Sequence, residues 1–132
     1  MSHHNIQPFF EALASRDADR IAAVLTEDSE WFSPPGNAVA VALEATNHMK
    51  GRAAIVQFFA DELPRLFVRD VGVTFNGVHS AGEHVVVEAE LTATLPDGNR
   101  YLNDYCFVVE FRNGLVHRVR EYADTPRGLK CG

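Results

Sequence analysis

A carboxylate interrupts an apolar strand face in "LVHRVREYAD". Along an extended chain Leu115, His117, Val119, Glu121 and Ala123 share one side, and Val116, Arg118, Arg120 and Tyr122 share the other. Glu121, in line with Val119 and Ala123, is out of place on a solvated face. If buried, it must be hydrogen-bonded or hold its proton more tightly than a free glutamate, and a carboxyl titrating near neutrality suits a general acid or base. The competing reading is an ion pair with an arginine of a neighbouring strand.

Other groups with chemical capacity are spread along the chain. His48 stands in "PPGNAVAVALEATNHMKG", a connection too long and too apolar for a plain solvated loop. That segment, residues 34–50, reads as a cover over a cavity mouth, or else as a short buried strand or helix. An imidazole on a movable cover completes a site once substrate has entered. Asn103 and Tyr105 share a face with Phe107 and offer an amide and a hydroxyl to a carbonyl or a water; the alternative is a buried tyrosine with its hydroxyl satisfied. Trp31, Phe58 and Phe59 read as packing, some of it pocket wall. His117, beside a turn, reads as a rim residue.

Metal and cofactor chemistry are not expected. His48, His79, His84 and His117 are scattered without a spacing that puts two ligands on one helical face, and there is no phosphate-cradling glycine loop. His3 and His4 read as part of a terminal tail, not as ligands. Cys106 and Cys131 fit neither a zinc site nor a disulfide framework. A net charge of -6 with no basic run disfavours nucleic acid and anionic membrane surfaces as partners. No apolar run approaches a membrane span and no signal-peptide pattern opens the chain, so a cytoplasmic location is expected.

The elements that must position these groups follow from periodicity. At 132 residues and 46% hydrophobic, the chain suits one domain, 1–132, with a core and room for a cavity. Residues 5–25 carry apolar side chains at helical spacing, with Asp17 as N-cap of a second short helix. "SEWFS" reads as a strand stopped by Pro34-Pro35-Gly36. Gly51 to Phe67 reads as a third helix, kinked at Pro64. Strands Val68–His79, Glu83–Leu95, Arg100–Arg112 and Leu115–Tyr122 follow, joined by hairpin connections. Helices first and an antiparallel meander afterwards define an α+β domain. In residues 83–95 the odd positions are apolar and the even ones mixed, whereas the next strand is partly apolar on both faces. A sheet covered on both sides is implied, and three helices cover only one, so a second subunit is expected on the other.

Two helices, a strand, a turn, a third helix starting near "KGRAAIVQFF" and a meander ending in "NGLVHRVREYAD" resemble the nuclear transport factor 2-like superfamily, in its SnoaL-like polyketide cyclase branch. The resemblance covers essentially the whole chain. It implies a cone in which a curved sheet wraps three helices of the N-terminal half around an internal pocket, with the convex face making a homodimer. On that basis Val85, Val87, Ala89, Leu91, Ala93 and Leu95 lie at the dimer interface, and Glu88, Glu90 and Thr92 point into the cone.

Membership of such a superfamily implies fold, not chemistry. The ketosteroid isomerase branch would need its tyrosine near Phe9, its base near Ser33 and its second acid near Phe107, and those side chains cannot act so. The limonene epoxide hydrolase branch resembles the chain better: its acids fall at Glu90 and Glu121, though its arginine position holds Glu88. SnoaL-like cyclases carry their acid/base at the position of Glu121. The resemblance therefore implies carboxylate-based acid/base catalysis on an apolar, oxygenated molecule such as a polyketide-like or terpenoid ring. Glu121 would work with Glu90 or His48, in a site lined by Trp31, Phe58, Glu88, Asn103, Tyr105 and Phe107. Glu90 and Glu121 are expected to face each other across the cone, one of them titrating above the ordinary range. The alternative is a non-catalytic module holding a small hydrophobic ligand.

Overall fold

The computed structural model describes residues 6–123, so His3, His4 and Cys131 lie outside the described residues. Helix α1, Gln7–Ser15, buries Phe9, Phe10, Ala12 and Leu13 and ends at Arg16 in the left-handed conformation, φ 61°. The chain then restarts where the sequence predicts. The carboxylate of Asp17 accepts the backbone N–H groups of Asp19 and Arg20 at 2.9 and 3.2 Å, capping α2, Ala18–Ala23. Strand β1, Leu25–Phe32, follows directly.

The segment of uncertain period resolves into two elements. Asn37 caps a short helix α3, Ala38–Leu43, by accepting from the Ala40 N–H at 2.9 Å, and His48–Lys50 forms strand β2. The predicted third helix is broken. It starts as α4, Arg52–Gln57, widens to a π turn at Phe58–Glu62 and tightens to a 3₁₀ turn at Leu63–Arg65. Pro64 lacks the N–H that a continuing α-helix requires, so the disturbance spreads N-terminally through the preceding turn.

Strands β3, Arg69–Ala81, β4, His84–Thr94, β5, Arg100–Arg112, and β6, Leu115–Ala123, form the expected meander. The whole is a curved, unclosed six-stranded sheet of order β2-β1-β6-β5-β4-β3. One pairing departs from the antiparallel expectation. β1 lies parallel to β6, with Trp31 opposite Val119 and Phe32 opposite Arg120. This brings the first strand against the last.

Register decides the faces. β4 and β5 pair without a shift from His84↔Glu110 to Thr94↔Arg100, so odd positions oppose odd positions throughout. Val85, Val87, Ala89, Ala93 and Leu95 join Tyr101, Tyr105, Phe107, Val109 and Phe111 in the core packed under α1, Ile21 and Ile55. The face assignment implied by the resemblance is thus inverted. The odd positions of β4 belong to the interior, and Glu88, Glu90 and Thr92 lie on the outer face, so the expectation of a homodimer through the odd stripe loses its basis. Among the described residues no helix is long and apolar enough to cross a membrane.

Candidate active site

The curved inner face and the helices enclose a pocket of about 110 Å³. Its walls are mostly apolar: Leu13 from α1, Val39 and Ala40 from α3, Phe58 and Phe59 from the π turn, and Leu91 and Phe107 from the sheet. The extra width of the π turn places two successive aromatic rings, 5.0 Å apart and edge to face, beside Trp31, which lies 4.9 Å from Phe59. The segment read either as a cover or as a short buried strand or helix forms a short helix and a short strand, and Val39 and Ala40 of that helix line the pocket.

Glu121 is the carboxylate of this pocket. The parallel β1/β6 pairing sets it beside the end of β1, where the Trp31 indole Nε1–H donates to Oε1 at 3.0 Å and the Ser33 hydroxyl donates to the same oxygen at 3.4 Å. Among the described residues no cation reaches it, so the ion-pair reading does not hold. It is partly buried and lines the pocket. Burial pushes the carboxyl up to about 7, against the downward pull of the Trp31 and Ser33 hydrogen bonds. At neutral pH such a group populates both protonation states.

A second polar cluster adjoins it on β5. The hydroxyls of Tyr101 and Tyr105 hydrogen-bond each other, and the Asn103 amide donates to the Tyr101 hydroxyl at 3.3 Å. Burial holds both phenols above their ordinary range. Tyr105 stacks parallel on Phe107 at 5.5 Å, and both line the pocket.

Of the residues expected at the site, Glu121, Trp31, Phe58, Tyr105 and Phe107 line this one pocket. Asn103 is buried behind Tyr105, at 1% exposure, and is not part of the wall. Glu90 is not. It pairs with Asp104 and Thr74 on the outer face, so it and Glu121 lie on opposite sides of the sheet and cannot share a proton. Glu88 is exposed on the same outer face, 3.7 Å from His79. His48 is corrected as well. Its neighbour Met49 faces inward opposite Trp31, which turns His48 outward, where Nε2 meets Glu30 at 2.8 Å and the ring stacks on Phe32 at 4.1 Å. His117 packs against Thr26 at 3.1 Å and Asp28 at 3.6 Å, both through Nδ1, away from the pocket.

Arg16 and the part Ser33 plays as a donor to Glu121 were not anticipated. Ser33 follows β1 at a proline-bounded turn, where nothing in the sequence marks it as a donor. Arg16 lines the pocket as well: it ends α1 in the left-handed conformation, and its guanidinium donates to the Phe67 carbonyl at 2.6 Å.

Solved structures share this architecture. TerC, co-crystallised with polyporic acid, is 22% identical over 91% of this chain and 88% of its own, with a TM-score of 0.76. Bal32a, from a soil-derived mobile gene cassette, is 24% identical over 89% of this chain and 85% of its own, with a TM-score of 0.73. An LEH-like epoxide hydrolase from M. tuberculosis is 19% identical over 90% of this chain and 79% of its own, with a TM-score of 0.68. At such identities the likeness carries the fold alone. No curated protein matches the sequence significantly. The SnoaL-like domain model matches residues 6–119, stopping just short of Glu121, and by that match the chain belongs to the SnoaL-like domain family.

Proposed function

We propose that the protein is a small-molecule enzyme in which Glu121 serves as general acid or base toward an apolar, oxygenated substrate held in the pocket. One observation carries this: a carboxyl with no cation partner among the described residues, pushed to about 7, on the wall of an apolar cavity. Trp31 and Ser33 hold Oε1, which fixes the carboxyl plane and leaves Oε2 for proton exchange. The chemistry follows from that geometry. An ionised Glu121 can take a proton from carbon next to a carbonyl or from a water attacking an epoxide; protonated, it can donate to an oxygen leaving carbon. Neither step requires a metal or cofactor. Glu90 and His48 take no part, since both lie on the outer face. The polyporic acid bound by TerC and the epoxide-hydrolase relative support a substrate that is apolar and oxygenated.

The test is a pH-rate profile on a panel of polyketide-like cyclic ketones and terpenoid epoxides. Turnover governed by a group titrating near 7 and lost in Glu121→Gln is the expected result. A second reading, a non-catalytic module for a hydrophobic ligand, is favoured by the lack of another carboxylate across the pocket from Glu121 among the described residues. Tight binding of panel members with no turnover of any of them would establish it.

A further inference from the structure

The two tyrosines of β5 raise a question of hydrogen accounting. Tyr101 is fully buried, at 0% exposure, and its ring packs 4.8 Å from Phe67. Its hydroxyl meets two groups among the described residues: the Asn103 amide, which donates to it, and the Tyr105 hydroxyl. An amide nitrogen cannot accept. The hydrogen of Tyr101 therefore has one acceptor, the oxygen of Tyr105. The reverse orientation would leave that hydrogen sealed and unpaired, the costliest arrangement for a buried polar group.

With Tyr101 as donor, the hydrogen of Tyr105 is released from the pair. The Asn103 amide donates to Tyr101 and its oxygen accepts from the Asp104 N–H. Of the two tyrosines, Tyr105 alone reaches the cavity wall. We propose that Tyr105 is a fixed hydrogen-bond donor to a ligand oxygen, and that the buried Tyr101 is the positioning residue that turns this hydrogen toward the pocket. The Tyr105 oxygen already accepts from Tyr101, so the site favours an accepting oxygen, a ketone, epoxide or ether, over the matching hydrocarbon. Chains of hydroxyls polarise one another, so Tyr101 also strengthens the bond that Tyr105 makes.

This deepens the proposed function and rests on its view of the pocket as a site for an oxygenated molecule, but not on catalysis by Glu121. The probe pair is 1-tetralone, labelled with ¹³C at the carbonyl, and tetralin. Binding is measured by titration and the carbonyl stretch by infrared difference spectroscopy, on the full chain, with thermal melts confirming that each variant is folded. In the wild-type protein the ketone should bind on the order of tenfold tighter than the hydrocarbon, with its stretch displaced to lower frequency than in an apolar solvent. Tyr105→Phe should erase both the preference and the displacement. Tyr101→Phe should retain binding with a smaller displacement. The inference is overturned by a carbonyl band unchanged in Tyr105→Phe, or by no preference for the ketone, failure of both probes to bind included. A Tyr101→Phe band identical to wild type overturns the positioning role. Failure of the two proposals separates cleanly: a displaced band with no turnover of any substrate sinks the acid/base reading alone, whereas Glu121-dependent turnover with a band indifferent to Tyr105 sinks this one alone.

Discussion

The two faces of the sheet carry the same kinds of residue and treat them oppositely. On the outer face a row of charged and imidazole side chains crosses five strands, His48 to Glu30 at 2.8 Å, Glu30 to Arg118 at 3.7 Å, Arg118 to Glu110 at 3.6 Å and Glu110 to His84 at 3.3 Å. The last three contacts join residues directly opposite in the ladder. The His48 hydrogen bond, aided by nearby positive charge, holds the Glu30 carboxyl below its usual range. On the inner face Glu121 meets an indole, a hydroxyl and apolar walls, and burial raises it to about 7. A carboxylate among cations is a structural charge; one among aromatics is a reactive acid. The contrast lies in the surroundings alone.

The largest expected effect is on turnover. Glu121→Gln should lower kcat by roughly a hundredfold or more, the scale of a lost general acid or base, in steady-state assays on any substrate the panel yields. An active Glu121→Gln would erase the functional distinction between the faces.

The pH dependence of stability sharpens the comparison, because the two faces have opposite signs. Glu121 is raised from 4.5 to about 7, so between those values the folded state keeps a proton that the unfolded chain has released. Stability should then fall as pH rises through that window and level off above it, and Glu121→Gln should abolish this slope. The difference between variant and wild type should grow by as much as about 3 kcal/mol from pH 4.5 to 8 in denaturant titrations. Glu30 is lowered from 4.5, so its contribution is present above that value and is lost as pH falls. Glu30→Gln should therefore lower stability at neutral pH and flatten the acid limb of the stability curve, with the difference from wild type vanishing as pH falls.

Smaller effects follow. Trp31→Phe removes the donor that draws the Glu121 proton affinity down, so the midpoint of the pH-rate profile should move above 7, with about 1–3 kcal/mol of stability lost to the smaller ring. Glu90→Gln and His48→Ala, both on the outer face, should leave kcat and KM at wild-type values. A kinetic effect of either would restore the paired-acid arrangement suggested by the family resemblance.

The elements and the acid were legible in the sequence; the faces were not. The Asp17 cap and the hairpin turns rest on local chemistry and appear as read, and the four strands of the meander lie close to their read bounds, whereas β1 begins at Leu25 rather than at Ser29. Glu121 was found by alternation, although alternation fails within its own strand: Val116 and Val119 are both buried because the ladder shifts between the Glu110 and Phe111 pairs. Glu121 lies on the far side of that irregularity, in step with Val119, so the parity argument survives for it. Glu88 and Glu90 were misassigned because alternation tells which residues share a face and not which face is inside. The missing information was the register of β4 against β5, where the Leu95 N–H bonds the Asn99 carbonyl across Pro96-Asp97-Gly98. A connection of that length pairs odd with odd, and Tyr105 and Phe107 then carry the whole odd face of β4 inward with them. Ser33 and Arg16 depend on long-range placement by a parallel strand and a left-handed helix end, for which local patterns carry no signal.

The parallel pairing of β1 with β6 also has a meaning in time. Trp31 and Glu121 are 90 residues apart, and β6 is inserted between β1 and β5, so β1 has no partner on that side until the last described strand is available. Contacts of such long range form late, after the hairpins from β3 to β5 have had every opportunity to assemble. The acid is therefore withdrawn from water only at the close of folding, and its partner is the one tryptophan of the chain. Indole fluorescence during refolding should accordingly report the moment at which the pocket gains its carboxyl.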